Sequence, residues 1–381
     1  MSGITITACH GAEQVAPRAV PSPPPVFTPP TDNSEYDEAD IPGAVSVAPT
    51  LILTPTYDGS GELVHPDAVA FPERWQGRKY WVSGTPYPTG NPTYENPSIY
   101  QGYTSRQMTV PANVKNPLAL PSAGGYLSDP DMVYDPDRDQ LRMYYRYMTG
   151  SSDDLYMMTS QNGAEWSAPQ FVLSGEKYGV ISPAIVRESA SAWRMWSVSA
   201  LERGCTSYMS GVELQQRRST DGVTWGDPAS VTLRVPGRVP WHLDVQYIPA
   251  KKEYWALVAA YPDGATCSQT AIYFARSADG TSWTVAPNPL LGAYEFAPLN
   301  DLVYRSTFHY HEASDAVTVW FSGARIGSGG FHFATASARY HYDDLIRRVS
   351  GPSPMIIQRE TAAQVSVELQ EARSAFERDF P

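Results

Sequence analysis

The sequence holds little cysteine, few basic residues and no long apolar run, and each scarcity excludes a class of protein. Only 3 of its 381 residues are cysteine, so a disulfide-rich scaffold is excluded. It has 28 basic against 40 acidic residues and no Lys/Arg-rich run, and an acidic surface repels phosphate backbones, which argues against a nucleic-acid partner. No apolar stretch approaches the roughly 18–20 residues that a membrane-spanning helix needs.

Aromatic and turn-forming residues are abundant instead. The chain carries 24 Tyr, 10 Trp and 11 Phe, together with 28 Gly and 34 Pro, and only 18% of its residues are charged. Aromatic side chains favour strands, whereas Gly and Pro separate many short elements. We therefore expect an all-β chain, long enough for one large β body or for two or three small domains.

The N-terminal part of the chain has the composition of an extended arm. Residues 17–55 contain ten prolines among acidic residues, and such a stretch favours polyproline conformations over a packed core. We predict a Pro-rich arm over residues 1–44, which is either a disordered leader or a segment that docks on a neighbouring subunit. Cys9 lies within this arm, and the residues before it lack the apolar core of a lipoprotein signal, so we do not expect a lipid there.

The C-terminal part, residues 351–381, has helical periodicity. Between Glu360 and Arg378 the apolar residues recur at offsets of four, three and four, which predicts one amphipathic helix. Such a helix either packs back on the main body or forms an oligomer contact. The apolar stripe consists of Val365, Leu369, Ala372 and Phe376.

A motif of the form Ser-x-(Asp/Asn)-Gly-x-x-Trp occurs three times, starting at Ser160, Ser219 and Ser277, so that the copies are 59 and 58 residues apart. In such a turn the Asp or Asn side chain accepts backbone N–H bonds, Gly takes a positive φ, and Trp packs beneath the hairpin. We expect these residues to stabilise the fold and to take no part in chemistry. They are Asn162, Gly163 and Trp166; Asp221, Gly222 and Trp225; and Asp279, Gly280 and Trp283.

A second series has the same period. Five apolar strands open with a small polar or acidic cluster, and each is followed by a second, aromatic strand, which predicts five blades of a β-propeller. A further strand from about Val45 to Leu53 would close the ring by pairing with the last blade. The five openings are His65-Pro66-Asp67, Asp129-Pro130-Asp131, Ser182-Pro183, Trp241-His242-Leu243-Asp244 and Asn300-Asp301.

The three turns resemble the Asp-box turns of sialidase-like propellers, and residues 45–350 resemble the five-bladed propellers of arabinanases and fructosidases. Several strings, such as Tyr80-Trp81 and Trp241-His242, are also similar to propeller domains of bacteriophage tail and virion proteins. The resemblance implies an all-β, five-bladed β-propeller of the glycosidase or sialidase-like type, between the Pro-rich arm and the C-terminal helix.

The strand openings would surround one mouth of the central channel, because inner strands of all blades begin at the same face. Carboxyl groups that converge there supply the acid and base of a glycosidase. By resemblance to the arabinanases, Asp67 matches the base, and Asp131 or Asp129 matches the residue that orients the catalytic pair. The third blade offers only Ser182 where that family has its acid, so Glu95 would reach in from the first-blade loop, with Glu176 or Glu202 as weaker candidates.

Further residues near this mouth are candidates for binding a ligand. Arg305 would pair with a buried carboxylate or clasp a carboxylated sugar, and aromatic rings would stack on sugars. No contiguous metal motif exists, so no cofactor is required, although His65 and His242 together with carboxylates are compatible with Ca²⁺. The other proposed ligand-binding residues are Asp129, Asp244, Asp301, Tyr87 and Trp241.

Three functions fit these features. The first is a glycan-recognising propeller on a virion or cell surface, such as a phage tail or capsid-attached protein, with the arm and helix binding other subunits of the assembly. The alternative is an active glycoside hydrolase that acts on a host or capsular polysaccharide. The third is an architectural propeller with a degenerate site. The first two interpretations imply a virion or extracellular location.

Cys205 and Cys267 lie in loops after aromatic strands and would either pair or remain thiols.

Overall fold

A computed structural model describes residue 43 and residues 45–200, 208–265, 269–327 and 329–351. These residues form five antiparallel sheets and one α-helix, α1. The strands are β1 Val47–Ile52, β2 Leu63–Trp75, β3 Arg78–Pro86, β4 Ser98–Gly102, β5 Tyr126–Asp135, β6 Gln140–Met148, β7 Ser152–Ser160, β8 Gln170–Glu176, β9 Ile181–Ser189, β10 Ala192–Ser199, β11 Glu213–Ser219, β12 Ala229–Ser230, β13 Arg238–Ile248, β14 Glu253–Pro262, β15 Ala271–Ser277, β16 Thr284–Leu291, β17 Leu302–His311, β18 Ala316–Gly327 and β19 Gly330–His341. The helix α1 is Tyr342–Ser350.

Each sheet is one blade of a five-bladed propeller, as the repeat predicted. The blades are β2–β4, β5–β8, β9–β12, β13–β16 and β17–β19 with β1. The first blade has three strands, and an isolated bridge between Gln101 and Thr109 stands in for its outer strand. The inner strands β2, β5, β9, β13 and β17 contact one another around the central axis.

The ring is closed by β1, which pairs antiparallel with β19. Val47 lies opposite Arg339 and Ile52 lies opposite Thr335, so an N-terminal strand completes the last blade. This confirms the predicted closing strand. The pairing gives β19 a partner on its outer side, so that edge is not open to another chain.

The core lies between the blades and is built largely from aromatic side chains on the second strand of each blade. Trp81, Trp196, Trp255 and Trp320 are each no more than 1% exposed. Large flat side chains suit this position because neighbouring sheets pack face to face about 10 Å apart. No helix in the described residues has the length and hydropathy needed to cross a membrane.

The three Ser-x-(Asp/Asn)-Gly-x-x-Trp motifs form the turns between third and fourth strands, as predicted. In the copy at Ser277, the hydroxyl of Ser277 accepts the N–H of Gly280 at 2.8 Å, and Asp279 Oδ1 accepts the N–H groups of Thr281 and Ser282. These backbone bonds from Ser282 and Thr281 lower the pKa of Asp279 to about 2. The motif is therefore structural.

Each of these turns also holds the preceding blade. The indole of Trp196 donates to the carbonyl of Gly280 at 2.8 Å, and the hydroxyl of Tyr144 donates to the carbonyl of Gly222 at 2.7 Å. The glycine is required at this position, because a Cβ on Gly163 would lie 2.0 Å from the ring of Trp81. The repeated turn thus joins blade to blade.

The first and fifth blades lack the motif, and other segments contact the preceding blade in its place. The indole of Trp320 donates to the carbonyl of Ser105 at 2.7 Å. Tyr342, at the start of α1, stacks on Trp255 with ring centroids 5.2 Å apart and planes 5° from parallel. The helix α1 therefore takes the place of a fifth-blade turn, since the outer strand of that blade comes from the N-terminal side of the chain.

The described chain ends with one helix, which confirms a C-terminal helix but places it at Tyr342–Ser350. The helix predicted between Glu360 and Arg378 lies outside the described residues, as do residues 1–42 and 44 of the predicted arm, which include Cys9, and Glu202, Cys205 and Cys267. The limits 1–44, 45–350 and 351–381 therefore stay predictions.

Candidate active site

Every inner strand carries a β-bulge near its start, and the bulges line up around the channel. In the first three blades the bulged residues are His65, Asp129 and Ser182, each followed by proline and each with a positive φ of 49–53°. Left-handed backbone is costly for such residues, and it aims a side chain away from the regular sheet. In β13 the unpaired residue is Trp241, and in β17 the bulge consists of Tyr304 and Arg305; these bulges bring His242 and Arg305 close to Asp129.

Two layers of polar side chains follow from this register. Residues at or next to the bulges form an upper layer, and the residues two positions later in each strand form a lower layer. The upper layer is His65, Asp129, Ser182, His242 and Arg305, and the polar members of the lower layer are Asp67, Asp131, Asp244 and Thr307.

The upper layer converges on one carboxylate oxygen. His65 Nε2 lies 3.3 Å from Asp129 Oδ1, and His242 Nδ1 lies 3.5 Å from the same atom. Arg305 Nη1 approaches it at 3.4 Å. Glu95 comes from the loop between β3 and β4, and its Oε1 lies 3.6 Å from His65 Nδ1. All five side chains are buried.

The second oxygen of Asp129 is held by a chain of charges. Arg146 Nη1 donates to Asp129 Oδ2 at 2.6 Å, and the other side of this guanidinium makes two bonds to Asp153, at 2.8 and 3.0 Å. The N–H of Ser182 also donates to Asp129 Oδ2. The orientation of Asp129 is therefore fixed, with Oδ1 turned towards the imidazoles.

Burial sets the protonation of this cluster. It lowers the pKa of His65 to about 4 and that of His242 well below its ordinary value, so both rings are neutral near pH 7. Burial alone would raise the pKa of Asp129, but the adjacent His65 and Arg146 hold it well below its ordinary value. Burial, reinforced by Asp129, raises the pKa of Glu95 well above normal, which favours a protonated acid.

The lower layer is a group of three aspartates whose carboxylate oxygens lie within 4.8 Å of one another. Asp67 accepts the N–H of Met132 at 2.7 Å, and Asp244 accepts the hydroxyl of Thr307 at 2.9 Å. Burial and the neighbouring Asp244 raise the pKa of Asp67 to about 7. Burial and Asp67 also raise the pKa of Asp131 well above its ordinary value.

Aromatic side chains enclose the upper layer. Tyr304 lies with its ring centroid 4.5 Å from that of His242 and 5.3 Å from that of His65. The cavity among these groups offers about 10 Å³ to the centre of a water molecule, enough for one water or one ion. Its walls are His65, Glu95, Tyr126, Ser128, Asp129, Arg146, Tyr178, Trp241, His242 and Tyr304.

Most of the predicted site residues meet at the channel, in an order that the sequence does not reveal. His65, Glu95, Asp129, Trp241 and His242 line the cavity, whereas Asp67, Asp131 and Asp244 lie in the lower layer and outside its walls. Arg305 links the layers, since its Nη2 lies 4.0 Å from Asp131 Oδ1.

Two predicted residues lie elsewhere. Asp301 accepts the N–H of Ile326 at 2.6 Å, so it fastens a loop of the fifth blade. Tyr87 is buried against Phe333, with ring centroids 5.0 Å apart, and does not line the cavity. Both positions were expected at the channel mouth, but Tyr87 directly follows β3 and Asp301 directly precedes β17, and the strand register does not set the direction of side chains outside the strands.

Three residues of the cluster were missed: Arg146, Asp153 and Tyr304. Arg146 and Asp153 lie on adjacent strands, β6 and β7, seven residues apart on either side of a short turn. An arginine and an aspartate on either side of the turn of a hairpin rich in Met, Tyr and Leu are a signal that points to a buried ion pair.

The upper layer has the donor set of a transition-metal site. Two imidazoles and one carboxylate are typical ligands of Zn²⁺, Mn²⁺ or Fe²⁺, whereas Ca²⁺ takes oxygen ligands. His65 Nε2 and both ring nitrogens of His242 are buried without a hydrogen-bond partner among the described residues. These residues therefore fit a divalent cation, and the three aspartates are a second group of possible ligands.

No family model matches the chain. A curated relative, the A type blood N-acetyl-α-D-galactosamine deacetylase of Flavonifractor plautii, is 28% identical over a match that covers 68% of this chain and 40% of the relative. The crystal structure of an N-acetylgalactosamine deacetylase from F. plautii, in complex with blood group B trisaccharide, superposes with a TM-score of 0.73 at 22% identity, covering 80% of this chain and 98% of that chain.

An arabinanase and an arabinofuranosidase share the fold at greater distance. The α-L-arabinanase of Penicillium chrysogenum has a TM-score of 0.53 at 13% identity, covering 79% of this chain and 99% of that one. The GH62 α-L-arabinofuranosidase domain of Coprinopsis cinerea also has a TM-score of 0.53 at 13% identity, covering 78% and 98%. These likenesses confirm a five-bladed propeller of the glycoside hydrolase type.

The prediction of a phage or virion structural protein is wrong. The relative found by sequence is an enzyme that acts on a glycan, and the similar structures are carbohydrate-active enzymes. The strings that suggested virion proteins belong to strands and bulges of the propeller, and such segments follow the fold and not the biological setting. The chain spans about 40% of the length of its curated relative.

Proposed function

We propose that this chain is a glycan-active hydrolase that removes the N-acetyl group of an amino sugar. The observation that carries the proposal is the convergence of His65 and His242 on one oxygen of Asp129, with Glu95 alongside. Support comes from the likeness to the Flavonifractor plautii deacetylase in sequence and fold. Because this chain matches only 40% of that relative, its activity and substrate are inferred for the matched part alone.

The upper layer would hold a divalent cation through His65, His242 and Asp129. Neutral imidazoles keep their lone pairs free for a metal, and the depressed pKa of Asp129 keeps it charged. Arg305 also approaches Asp129 Oδ1, so a cation would share that oxygen with a guanidinium. When bound, the cation would polarise the amide carbonyl and lower the pKa of water.

The chain's own residues account for the remaining proton movements. In amide hydrolysis, water adds to the carbonyl carbon, the C–N bond breaks, and the departing nitrogen must gain a proton while acetate leaves. Glu95 is buried in the cavity wall with a raised pKa, so it carries a proton near pH 7 that it can donate to the nitrogen. The proton that the adding water loses restores the acid form of Glu95. Trp241 and Tyr304 exclude bulk water from this step.

The carboxyl groups around the cavity favour amide hydrolysis over cleavage of a glycosidic bond. A glycosidase needs one protonated carboxyl and one free carboxylate at the sugar, about 5–5.5 or 6.5–9.5 Å apart. Among the described residues that line the cavity, the carboxyls are Glu95 and Asp129, and Asp129 is already bound by Arg146. Asp67 and Asp131, which matched the arabinanase carboxylates, lie one layer deeper.

An assay of acetate release tests the proposal. The full chain, supplied with Zn²⁺ or Mn²⁺, is incubated with blood group A trisaccharide, and acetate and reducing sugar are measured in parallel. We expect acetate without new reducing ends, and loss of acetate release in His242→Ala. His332→Ala is the control, because His332 bonds to Glu62 outside the cavity. Reducing sugar in place of acetate would establish the glycosidase alternative, and neither product from a broad panel of N-acetylated glycans would refute the proposal.

We assign the three turns to the Asp-box type, which the bonds of Asp279 to Thr281 and Ser282 support. A location outside the cell suits an enzyme that acts on free or surface glycans, and it stays a prediction.

A further inference from the structure

A groove lies on the side of the third blade away from the bulges. The turn between β9 and β10 forms one wall, and the end of β11 with its following turn forms the other. Its volume of about 380 Å³ lies within the range of sites that hold small molecules, whereas the central cavity has room for one water. The groove is lined by Glu188, Ser191, Ala192, Trp193, Arg218, Ser219, Thr220 and Thr224.

Two donors in this groove lack partners. Trp193 is only 2% exposed, and its buried indole N–H has no hydrogen-bond partner among the described residues. Arg142 covers a face of this ring at 4.4 Å. Arg218 forms no hydrogen bond or ion pair through its guanidinium with any residue that the structure describes, and it is exposed. A buried donor without an acceptor is costly, so the indole N–H of Trp193 points to an absent acceptor, and the exposed guanidinium of Arg218 is free to bind one.

The acceptor on the same wall as Trp193, Glu188, is held in place. Glu188 lies 2.6 Å from the Nε of Arg194 and also accepts the hydroxyl of Tyr254. Ser191, Thr220 and Thr224 add hydroxyl groups around the same space. Fixed charged groups, hydroxyls and the edge of an indole are a combination that suits the hydroxyls and apolar faces of a sugar ring.

We propose that this groove is a second glycan-binding site, which takes a neutral pyranose of the same oligosaccharide class as the central site. The choice of a glycan as ligand rests on the proposed function. The groove opens away from the channel mouth, so a sugar bound there leaves the central cavity free. Such a site would hold a branched or repeated glycan near the enzyme and raise its effective concentration.

The resonance of the Trp193 indole N–H tests this directly. The full chain is labelled with ¹⁵N at tryptophan, the Trp193 signal is identified by its loss in Trp193→Phe, and blood group A trisaccharide is added. If Trp193→Phe does not fold, triple-resonance assignment of the unsubstituted chain replaces it. We expect the Trp193 signal to shift on titration, and Arg218→Ala to raise the midpoint by about tenfold, because a charged hydrogen bond is lost.

The matched control is Arg276→Ala. Arg276 precedes Ser277 as Arg218 precedes Ser219, but it contacts Glu253 at 3.8 Å and the hydroxyl of Tyr342. We expect no change in midpoint for this control. A Trp193 signal that never moves, or moves with the same midpoint in Arg218→Ala, would overturn the site. Acetate release is measured separately: its absence would refute the proposed function while a shifting Trp193 signal upheld the groove, and the reverse result would refute the groove alone.

Discussion

Asp129 and Arg146 form a fully buried ion pair at the centre of the ring, with 2.6 Å between Asp129 Oδ2 and Arg146 Nη1. The two side chains are 0% and 5% exposed. This contact joins the second blade's inner strand to its neighbour and leaves Asp129 Oδ1 facing both imidazoles. A structural ion pair and the candidate active site are thus built on the same carboxylate.

Arg146→Ala should destabilise the chain by about 3–5 kcal/mol, because it leaves the buried Asp129 and Asp153 without their common partner. The free energy of unfolding in urea measures this. Arg138→Ala is the control: Arg138 also pairs with an aspartate, Asp135, but its side chain is 61% exposed, so its loss should cost no more than about 1 kcal/mol. Equal losses in the two variants would contradict the central role of the pair.

Glu95→Gln should lower kcat for acetate release while leaving KM nearly unchanged, because glutamine keeps the shape but cannot give up a proton. Since the pKa of Glu95 is raised, the acid form persists near neutral pH, and activity should fall as pH rises through that pKa. The pH profiles of both chains measure this. A profile of Glu95→Gln that retains the alkaline decline at unchanged kcat would exclude Glu95 as the acid.

Asp67→Asn should flatten the loss of stability with rising pH, measured with a chelator present. The folded pKa of Asp67 is about 7, above its unfolded value, so the folded state binds the proton more tightly. The contribution of Asp67 to the free energy of unfolding is therefore complete below the unfolded pKa. It declines by about 1.4 kcal/mol per pH unit as pH rises to about 7. The free energies of unfolding of the unsubstituted chain and of Asp67→Asn, at pH 5 and pH 8, measure the difference. Both chains contain His65 and His242, so the contributions of these histidines cancel in the comparison. Parallel pH dependences would show that Asp67 does not titrate in this range.

Removal of divalent cations should lower the Tm of the unsubstituted chain, because a ligand that binds only the folded state stabilises it. The Tm of His242→Ala should respond less to the chelator, since one of the three proposed ligands is gone. Differential scanning calorimetry with and without EDTA measures both. A chelator effect of the same size in His242→Ala would place the cation elsewhere, and the group Asp67, Asp131 and Asp244 would be the next to substitute.

Gly280→Ala should destabilise the fold by about 2–4 kcal/mol, because its Cβ would lie 2.8 Å from the Trp196 ring at a φ of +71°. Gly264→Ala separates the two causes: its φ is +81°, but no atom lies within 4 Å of the added Cβ. We expect Gly264→Ala to cost only the backbone term of about 1 kcal/mol. Unfolding free energies that match in the two variants would show that the turn does not pack tightly on the preceding blade.

The blade count was predictable because it depends on local chemistry. A turn that needs Ser, Asp or Asn, Gly and Trp at fixed offsets is visible in the sequence, and so is the alternation of polar openings with aromatic strands. The closing strand was predictable for a related reason: an open edge strand is unfavourable, so the chain must supply a partner. The helix α1 was not, since Tyr342–Ser350 forms against Trp255, which is distant in sequence.

The sequence by itself determined that aspartates and histidines stand at the starts of five equivalent strands. Only the tertiary structure decided which of them share a layer. Side chains alternate between the two faces of a strand, so one extra residue in a bulge reverses their directions beyond it. His65 and Asp129 therefore face the cavity, while Asp67 and Asp131 face one another below it. The pairing of an inner strand with the next strand of its blade fixes the position of the bulge. In the second blade, Arg146 on that next strand also forms the ion pair that orients Asp129. Pairing within each blade, and not residue identity, therefore placed the imidazoles and Asp129 at the cavity, in a sequence that had suggested Asp67, Asp131 and Glu95 as catalytic residues.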